Sequence, residues 1–350
     1  MRDELLALFP GLRKLPPNVF VVGGAVRDLH LGAHPADVDV ACTDPLAAAR
    51  TLGRKVIRLG REEHISAYRV VDGEHIYDFA ALLDDSIDAD LGRRDFTVNA
   101  MAVALATGAL LDPHDGRGDL AARIVRMVDA SNFDDDPLRM LKAVRMAVRL
   151  GFTVDRETIE AIRPRANAIA SVAAERVAYE LSVIFSSGAF RTAVALLHET
   201  ALDVPLFGRE LDATRFHADD VPLAAAFAII VDDPPAFAER WKWSDALRHE
   251  VVTLQRLASE HTLLSLYDAG ERLAAQLPPM LRALGHDATI DMPDFSVKPL
   301  LTGDEIARLA KIEPGPRVGA IKRALIEAQL VGTVTTKEEA ERFVQMSPRA

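Results

Sequence analysis

FVVGGAVRDLHLGAHPADVDVACTDP, residues 20–45, places two glycines, an Arg-Asp pair and an Asp-x-Asp within one short span. Val19 to Val22 is a β-rich apolar run that stops at Gly23-Gly24, and Ala25 onward has the pattern of a helix. Asp37 to Ala41 alternates acid and apolar residues, the signature of a half-buried strand. In a strand, residues i and i+2 share a face, so Asp37 and Asp39 present their carboxylates side by side. Two like charges held that close need a cation or solvent between them. Mg²⁺ takes one or two carboxylates and completes its shell with water and substrate phosphates. The turn at Gly23-Gly24 brings backbone N–H groups close to an anion at the start of the expected helix. Arg27, one turn further on, offers a fork that clamps phosphate oxygens. Taken singly, a DxD is usually a solvated strand end and a GG an ordinary turn. Together they define a metal–triphosphate site.

Working outward, Ile76 to Leu82 is a further apolar strand candidate, carrying Asp78 as a third carboxylate. Phe96 to Leu105 reads as a helical stretch, and Asp95, just before it, and Asn99, at i and i+4, would share a helix face. After Pro113, Gly116 and Gly118 the pattern is almost wholly helical and rich in Ala, Leu and Arg. An α/β head of about 130 residues therefore precedes a helical remainder, as the length of 350 residues, too great for one ordinary core, also suggests.

Bulk properties limit the alternatives. A hydrophobic share of 49% and a charged share of 27% are those of a globular protein. The first residues, MRDELLALFPGLRKL, lack a cleavage-site pattern, and the longest apolar run, Val221 to Val231, falls short of the roughly 20 residues of a membrane span. Cys42 is the only cysteine, so no intrachain disulfide can form; a cytoplasmic setting is expected. The net charge of −11 counts against a nucleic-acid partner unless one groove is locally basic. Arg139 to Arg149 supplies such a stretch: Arg139, Lys142, Arg145 and Arg149 fall on one side of a helix, opposite Val144 and Val148. Tyr179 reads as a packing residue.

The combination of motifs resembles the class II tRNA nucleotidyltransferase and bacterial poly(A) polymerase family. Its first motif is matched by Gly23, Gly24, Val26, Arg27, Asp28, Asp37 and Asp39. RRDFTVNAMA at 93–102 is similar to the second, and DDPLRMLKAVRMAVRLGF at 135–152 to the segment that selects the nucleotide. ERVAYEL at 175–181 is similar to the helix that buttresses the selector, and PLLTGDEIARLAKIEPGPRVG at 299–319 to the family's tail. Residues 205–295 carry no recognisable motif.

The resemblance implies an α+β chain: a nucleotidyltransferase head of mixed sheet and helices over 1–130, an all-helical neck over 131–200, and a helical body and tail over 201–350 that bind tRNA. It implies that Asp37 and Asp39 are catalytic and hold Mg²⁺, with Asp78 as a third candidate ligand. Gly24, Arg27, Arg94, Asp95 and Asn99 would bind the nucleotide, and Asp136 with Arg139 would imitate a base-pairing edge for cytosine. Without the family, Asp136 and Arg139 are simply an i,i+3 helix ion pair worth about 0.2–0.5 kcal/mol. Lys142, Arg145 and Arg149 would touch RNA phosphates. Asp135 stands where relatives commonly have Glu.

Members that build the whole CCA end have an extended flexible loop before the RRDFT motif, and members without it add CC only. Here the interval is the short AALLDDSIDADLG, residues 80–92. The expectation is a CC-adding enzyme using CTP on tRNA 3′ ends. The alternatives are a CCA-adding enzyme that also takes ATP, a poly(A) polymerase, and an inactive RNA-binding protein. The C-terminal ERFVQMSPRA, 341–350, is unlike the long basic extension of bacterial poly(A) polymerases, and intact Asp37, Asp39 and Arg94 speak against inactivity.

Overall fold

The computed structural model describes residues 1–53, 55–59 and 67–346; 347–350, the end of the C-terminal stretch just quoted, lie outside them. The chain divides into two compact units, one of residues 1–184 and 193–211, the other of 185–192 and 212–350.

The first unit opens with helix α1 (Arg2–Leu8) and is built on a sheet. Its strands are β1 (Phe20–Val22), β2 (Asp37–Cys42), β3 (Val56–Leu59), β4 (Ala67–Asp72), β5 (His75–Ala81), β6 (Ala102–Ala104) and β7 (Leu110–Leu111). Their spatial order is β3-β4-β5-β2-β1-β6-β7, with β2 and β5 parallel and the other neighbours antiparallel. This is the mixed sheet expected from the motifs. Helices α2 (Gly24–His30), α3 (Pro45–Leu52), α4 (Ile87–Gly92) and α5 (Gly116–Ala122) complete the head. Asp44 caps α3 by accepting from Ala47 N, with Pro45 at its first position, and Ser86 caps α4.

Buried side chains of the sheet include Val21, Val38, Val40, Tyr77 and Phe79. Each large apolar side chain removed from water contributes about 1.5–3 kcal/mol. Val38 and Val40 point into this core, so Asp37 and Asp39 are left on the open face of β2.

One expected element is different. Phe96 to Leu105 does not form a helix: Thr97–Asn99 is a single 3₁₀ turn, and Ala102–Ala104 is strand β6. The open edge of β1 decides this, because Phe20, Val21 and Val22 pair with Ala104, Val103 and Ala102. Strand pairing overrides the modest helical preference of an Ala-rich run.

After the head come α6 (Asn132–Asp135), the long α7 (Leu138–Leu150), α8 (Arg156–Ile162) and α9 (Ala174–Phe185). A two-stranded parallel pairing of 124–125 with 153–154 interrupts the helices of the remainder. α7 ends at Gly151 with φ 66°, a left-handed C-cap suited to glycine.

The second unit is helical. Phe227, Phe237 and Trp243 pack with ring centroids 4.5 Å (Phe227–Trp243) and 4.9 Å (Phe237–Trp243) apart. Its C-terminal helices, Gly303–Ala310, Pro316–Leu330 and Lys337–Met346, share a core of Leu301, Ile306, Leu325, Ala340 and Val344. Thr302 and Glu305 form a reciprocal capping box at the first of these helices. No helix among the described residues is long and apolar enough to cross a membrane.

Candidate active site

Register brings the site together on β2. Asp39 lies opposite Val22 of β1 on one side and Asp78 of β5 on the other. Gly23, the residue after β1, has φ 73°, and a Cβ built there would stand 2.8 Å from Arg94 Nη1 and 3.4 Å from Asp39 Oδ2. Only glycine leaves room for a carboxylate, a guanidinium and the backbone to converge.

Although water reaches Asp39, the protein crowding its carboxyl raises its pKa to about 6. Burial is the main cause, opposed by Arg94 and reinforced by Asp37 and Asp78. Asp37 and Asp39 form no ion pair among the described residues. An all-oxygen pair on one face, with no direct ion pair to either carboxylate, has the donor chemistry of a hard divalent cation that shares its shell with phosphates. Asp78 is differently engaged: its two oxygens accept from Arg69 Nε and Nη2 at 2.7 and 2.6 Å.

The cationic residues are held in place. Arg27 donates to Asp28 at 2.8 and 2.6 Å and to Asn99 Oδ1 at 2.8 Å. Asn99 donates in turn to Asp95 Oδ1 at 3.0 Å. The Asp95–Asn99 contact expected of a helix is thus made across the 3₁₀ turn. Gly24 opens α2 beside the Arg27 guanidinium, 3.7 Å from where its Cβ would stand. Arg94 is gripped by Asp90, a buried carboxylate on α4 that accepts from Arg94 Nη2 at 3.0 Å and from Arg93 Nη2 at 3.1 Å. Asp90 is not among the residues singled out from the sequence, yet its i,i+4 spacing to Arg94 is a usable signal.

The selector pair departs from the expected geometry. Asp136 is not on the helix: it has extended dihedrals between α6 and α7, and Oδ1 accepts from Leu138 N at 3.3 Å. Pro137 accounts for the break, since the residue before proline is driven out of the helical region. The two side chains do not pair with each other. Asp136 Oδ2 accepts from Arg176 Nη2 at 2.9 Å, and Arg139 Nη1 donates to the Asn132 carbonyl at 2.9 Å. An ordinary i,i+3 helix ion pair is therefore not what these residues make.

The basic stripe is only partly open. Arg145 Nη1 donates to Glu180 at 3.1 Å, and Glu180 is 3% exposed with its pKa raised, chiefly by burial. Lys142 is half-buried and Arg149 exposed. Tyr179 corrects an expectation: at 63% exposure it is a surface residue, one position from the face that binds Arg145. Arg176, Glu180 and Asn132 escaped sequence reading because their partners are remote in the chain. A cleft of about 580 Å³ is lined by Arg27, His34, Asp37, Arg145 and Arg149. A smaller hollow of about 310 Å³ beside Cys42 lies at the other end of β2 and is mainly apolar.

Fold and site define a nucleotidyltransferase, and the comparisons agree. Residues 19–126 match the poly(A) polymerase head domain, and 151–214 match the probable RNA- and SrmB-binding site of polymerase A. The A-adding tRNA nucleotidyltransferase of Deinococcus radiodurans is 31% identical over 96% of this chain and 97% of its own. The CC-adding enzyme of Halalkalibacterium halodurans is 38% identical over 56% of this chain and 52% of its own. Among solved structures, the Bacillus stearothermophilus CCA-adding enzyme in complex with CTP superposes with a TM-score of 0.79 at 24% identity, covering 98% of this chain and 96% of that one. The chain belongs to the class II nucleotidyltransferase family of CCA-, CC- and A-adding tRNA enzymes.

Proposed function

We propose that this enzyme transfers CMP from CTP to the 3′ end of tRNA, adds two residues and stops. The observation that carries the reading is the segment between β5 and Arg94. It consists of one turn and α4, and its last helical turn is bonded through Asp90 to both arginines of the RRD motif. A lever needs a segment free to move, and this one is anchored at the catalytic residues.

In the reaction, the RNA 3′-oxygen attacks the α-phosphorus of CTP and pyrophosphate leaves. Mg²⁺ held by Asp37 and Asp39 would lower the pKa of the attacking hydroxyl and neutralise phosphate charge. Asp78 can join only if Arg69 lets go. Arg27 and Arg94, pre-oriented by Asp28, Asn99 and Asp90, bind the triphosphate; Gly24, Asp95 and Asn99 complete its surroundings. Asp136 and Arg139 read the base. Each is partly exposed and oriented by a third residue, Asp136 by Arg176 and Arg139 by the Asn132 carbonyl. Lys142 and Arg149 contact RNA phosphates, whereas Arg145 is committed to Glu180. In this reading 131–200 selects the nucleotide, 201–350 grips tRNA, and the enzyme works in the cytoplasm with buried Cys42 reduced.

The test is product analysis on a tRNA lacking CCA, supplied with CTP and ATP together. A sharp stop at CC is expected, and efficient accumulation of CCA would refute the reading. A second reading, A addition, is favoured by the name of the Deinococcus relative. It predicts the reverse: no extension of the CCA-less tRNA and addition of one A to a tRNA ending in CC.

A further inference from the structure

Asn132 is 5% exposed and lies between the two halves of the site. Its side-chain amide spends both donors on one stretch of backbone, the carbonyls of Gly92 at 3.0 Å and Arg94 at 2.9 Å. Its own carbonyl accepts from Arg139 Nη1 at 2.9 Å. A single residue therefore touches the segment that carries Arg94, beside Asp39, and the guanidinium assigned to the incoming base.

We propose that Asn132 is a positioning residue for base selection, setting where the Arg139 fork points relative to the carboxylates of β2. The proposal rests on the reading that Asp136 and Arg139 select the base. Arginine carries several rotatable bonds, and an unanchored guanidinium spreads over many orientations. Asp136 is anchored by Arg176, so the orientation of the recognition edge depends on what anchors Arg139. That anchor is a backbone carbonyl, and the carbonyl is located by the Asn132 amide. Only a neutral group with two N–H donors at this reach satisfies two carbonyls at once. Serine supplies one donor, alanine none, and an ionised aspartate would set a negative charge against both oxygens.

The test compares the ratio of kcat/KM for CTP to that for UTP at the first addition on a CCA-less tRNA. The variants are Asn132→Ser, Asn132→Ala and Arg139→Ala, with thermal melting of each. Thr158→Val serves as a control, because Thr158 is fully buried and its hydroxyl accepts from Met127 N, bonding neither Asn132 nor Arg139. Losing an orienting contact to a charged group should lower the CTP preference roughly tenfold in Asn132→Ala, and by less in Asn132→Ser. Thr158→Val should melt lower while keeping the parent preference.

A preference within about twofold of the parent in Asn132→Ala, alongside its loss in Arg139→Ala, would overturn the proposal and leave the selector reading standing. An unchanged preference in Arg139→Ala would overturn both. Loss of the folded state in both Asn132 variants, or an equal shift in Thr158→Val, would make Asn132 a residue of the fold and also overturn it.

Discussion

The open face of β2 and the junction of α6 with α7 handle charge in opposite ways. On β2, Asp37 and Asp39 stand together without a direct ion pair among the described residues, and burial raises the pKa of Asp39 to about 6 despite the nearby Arg94. At the junction, Asp136 and Arg139 are neighbours of opposite sign, yet each is bonded to another residue instead. The first arrangement keeps two carboxylates close together, which is the feature that the proposed cation site rests on. In the second, Asp136 is held by Arg176 and Leu138 N and Arg139 by the Asn132 carbonyl, so each side chain is oriented by a residue other than its neighbour. Binding to pre-oriented groups avoids the entropic cost of ordering them.

The sharpest way to break this contrast is to remove its acidic side. Asp37→Ala or Asp39→Ala should reduce nucleotide incorporation by about a thousandfold or more while leaving tRNA binding largely intact, because charge stabilisation at the transferred phosphoryl group is lost. Incorporation above a few per cent in both variants, measured on a CCA-less tRNA, would rule out the assignment.

Next in size is Arg139→Ala, which should cost about ten- to a hundredfold in base discrimination as well as rate, since a buried polar edge left unpaired is penalised. Competition among the four nucleotides reads this directly; continued rejection of UTP and GTP at the parental level would place selection elsewhere.

Asp90→Ala tests whether α4 serves the catalytic side. Arg93 and Arg94 would lose a shared, buried acceptor, and the KM for CTP should rise about tenfold with a smaller change in CTP-over-UTP preference. An unchanged KM would mean that Arg94 does not need this grip.

The smallest effect concerns stability without metal. The pKa of Asp39 in the folded state, about 6, lies above its ordinary 3.8, so the folded protein binds the extra proton between those values. Stability from this group is greatest below about pH 4, falls as pH rises to about 6, and stays at its least favourable level above that. Asp39→Asn should therefore raise the melting temperature of the metal-free protein at pH 8 and lose this advantage below about pH 4. Water in the cleft screens the charge and keeps the gain small. A variant that melts lower than the parent at pH 8 would contradict the electrostatic account of β2.

The shared face of Asp37 and Asp39 could be read in the chain because its logic is local. Asp37 and Asp39 share a face through strand alternation alone, and Gly23 sits at a turn whose positive φ favours glycine. The pair proposed as the selector was only half legible. Asp136 and Arg139 were expected on one helix face, but Asp136 proved to lie off the helix because of Pro137, and its partner Arg176 is 40 residues away. Tyr179 was misread as packing because the hydrophobic period of α9 does not say where neighbouring helices end.

Sequence alone was sufficient wherever the governing rule spans a few residues: the alternation of β2, the Gly-Gly turn, the family motifs and the short interval before Arg94. Tertiary structure decided the matters that depend on which surfaces meet. The open edge of β1 made 102–104 a strand, Arg69 claimed Asp78, Glu180 took Arg145 out of the basic stripe, and Asn132 joined the two halves of the site. Each of these is a hydrogen bond or ion pair between different secondary-structure elements. Such a bond forms only after folding has brought the two elements together, and no local preference encodes it.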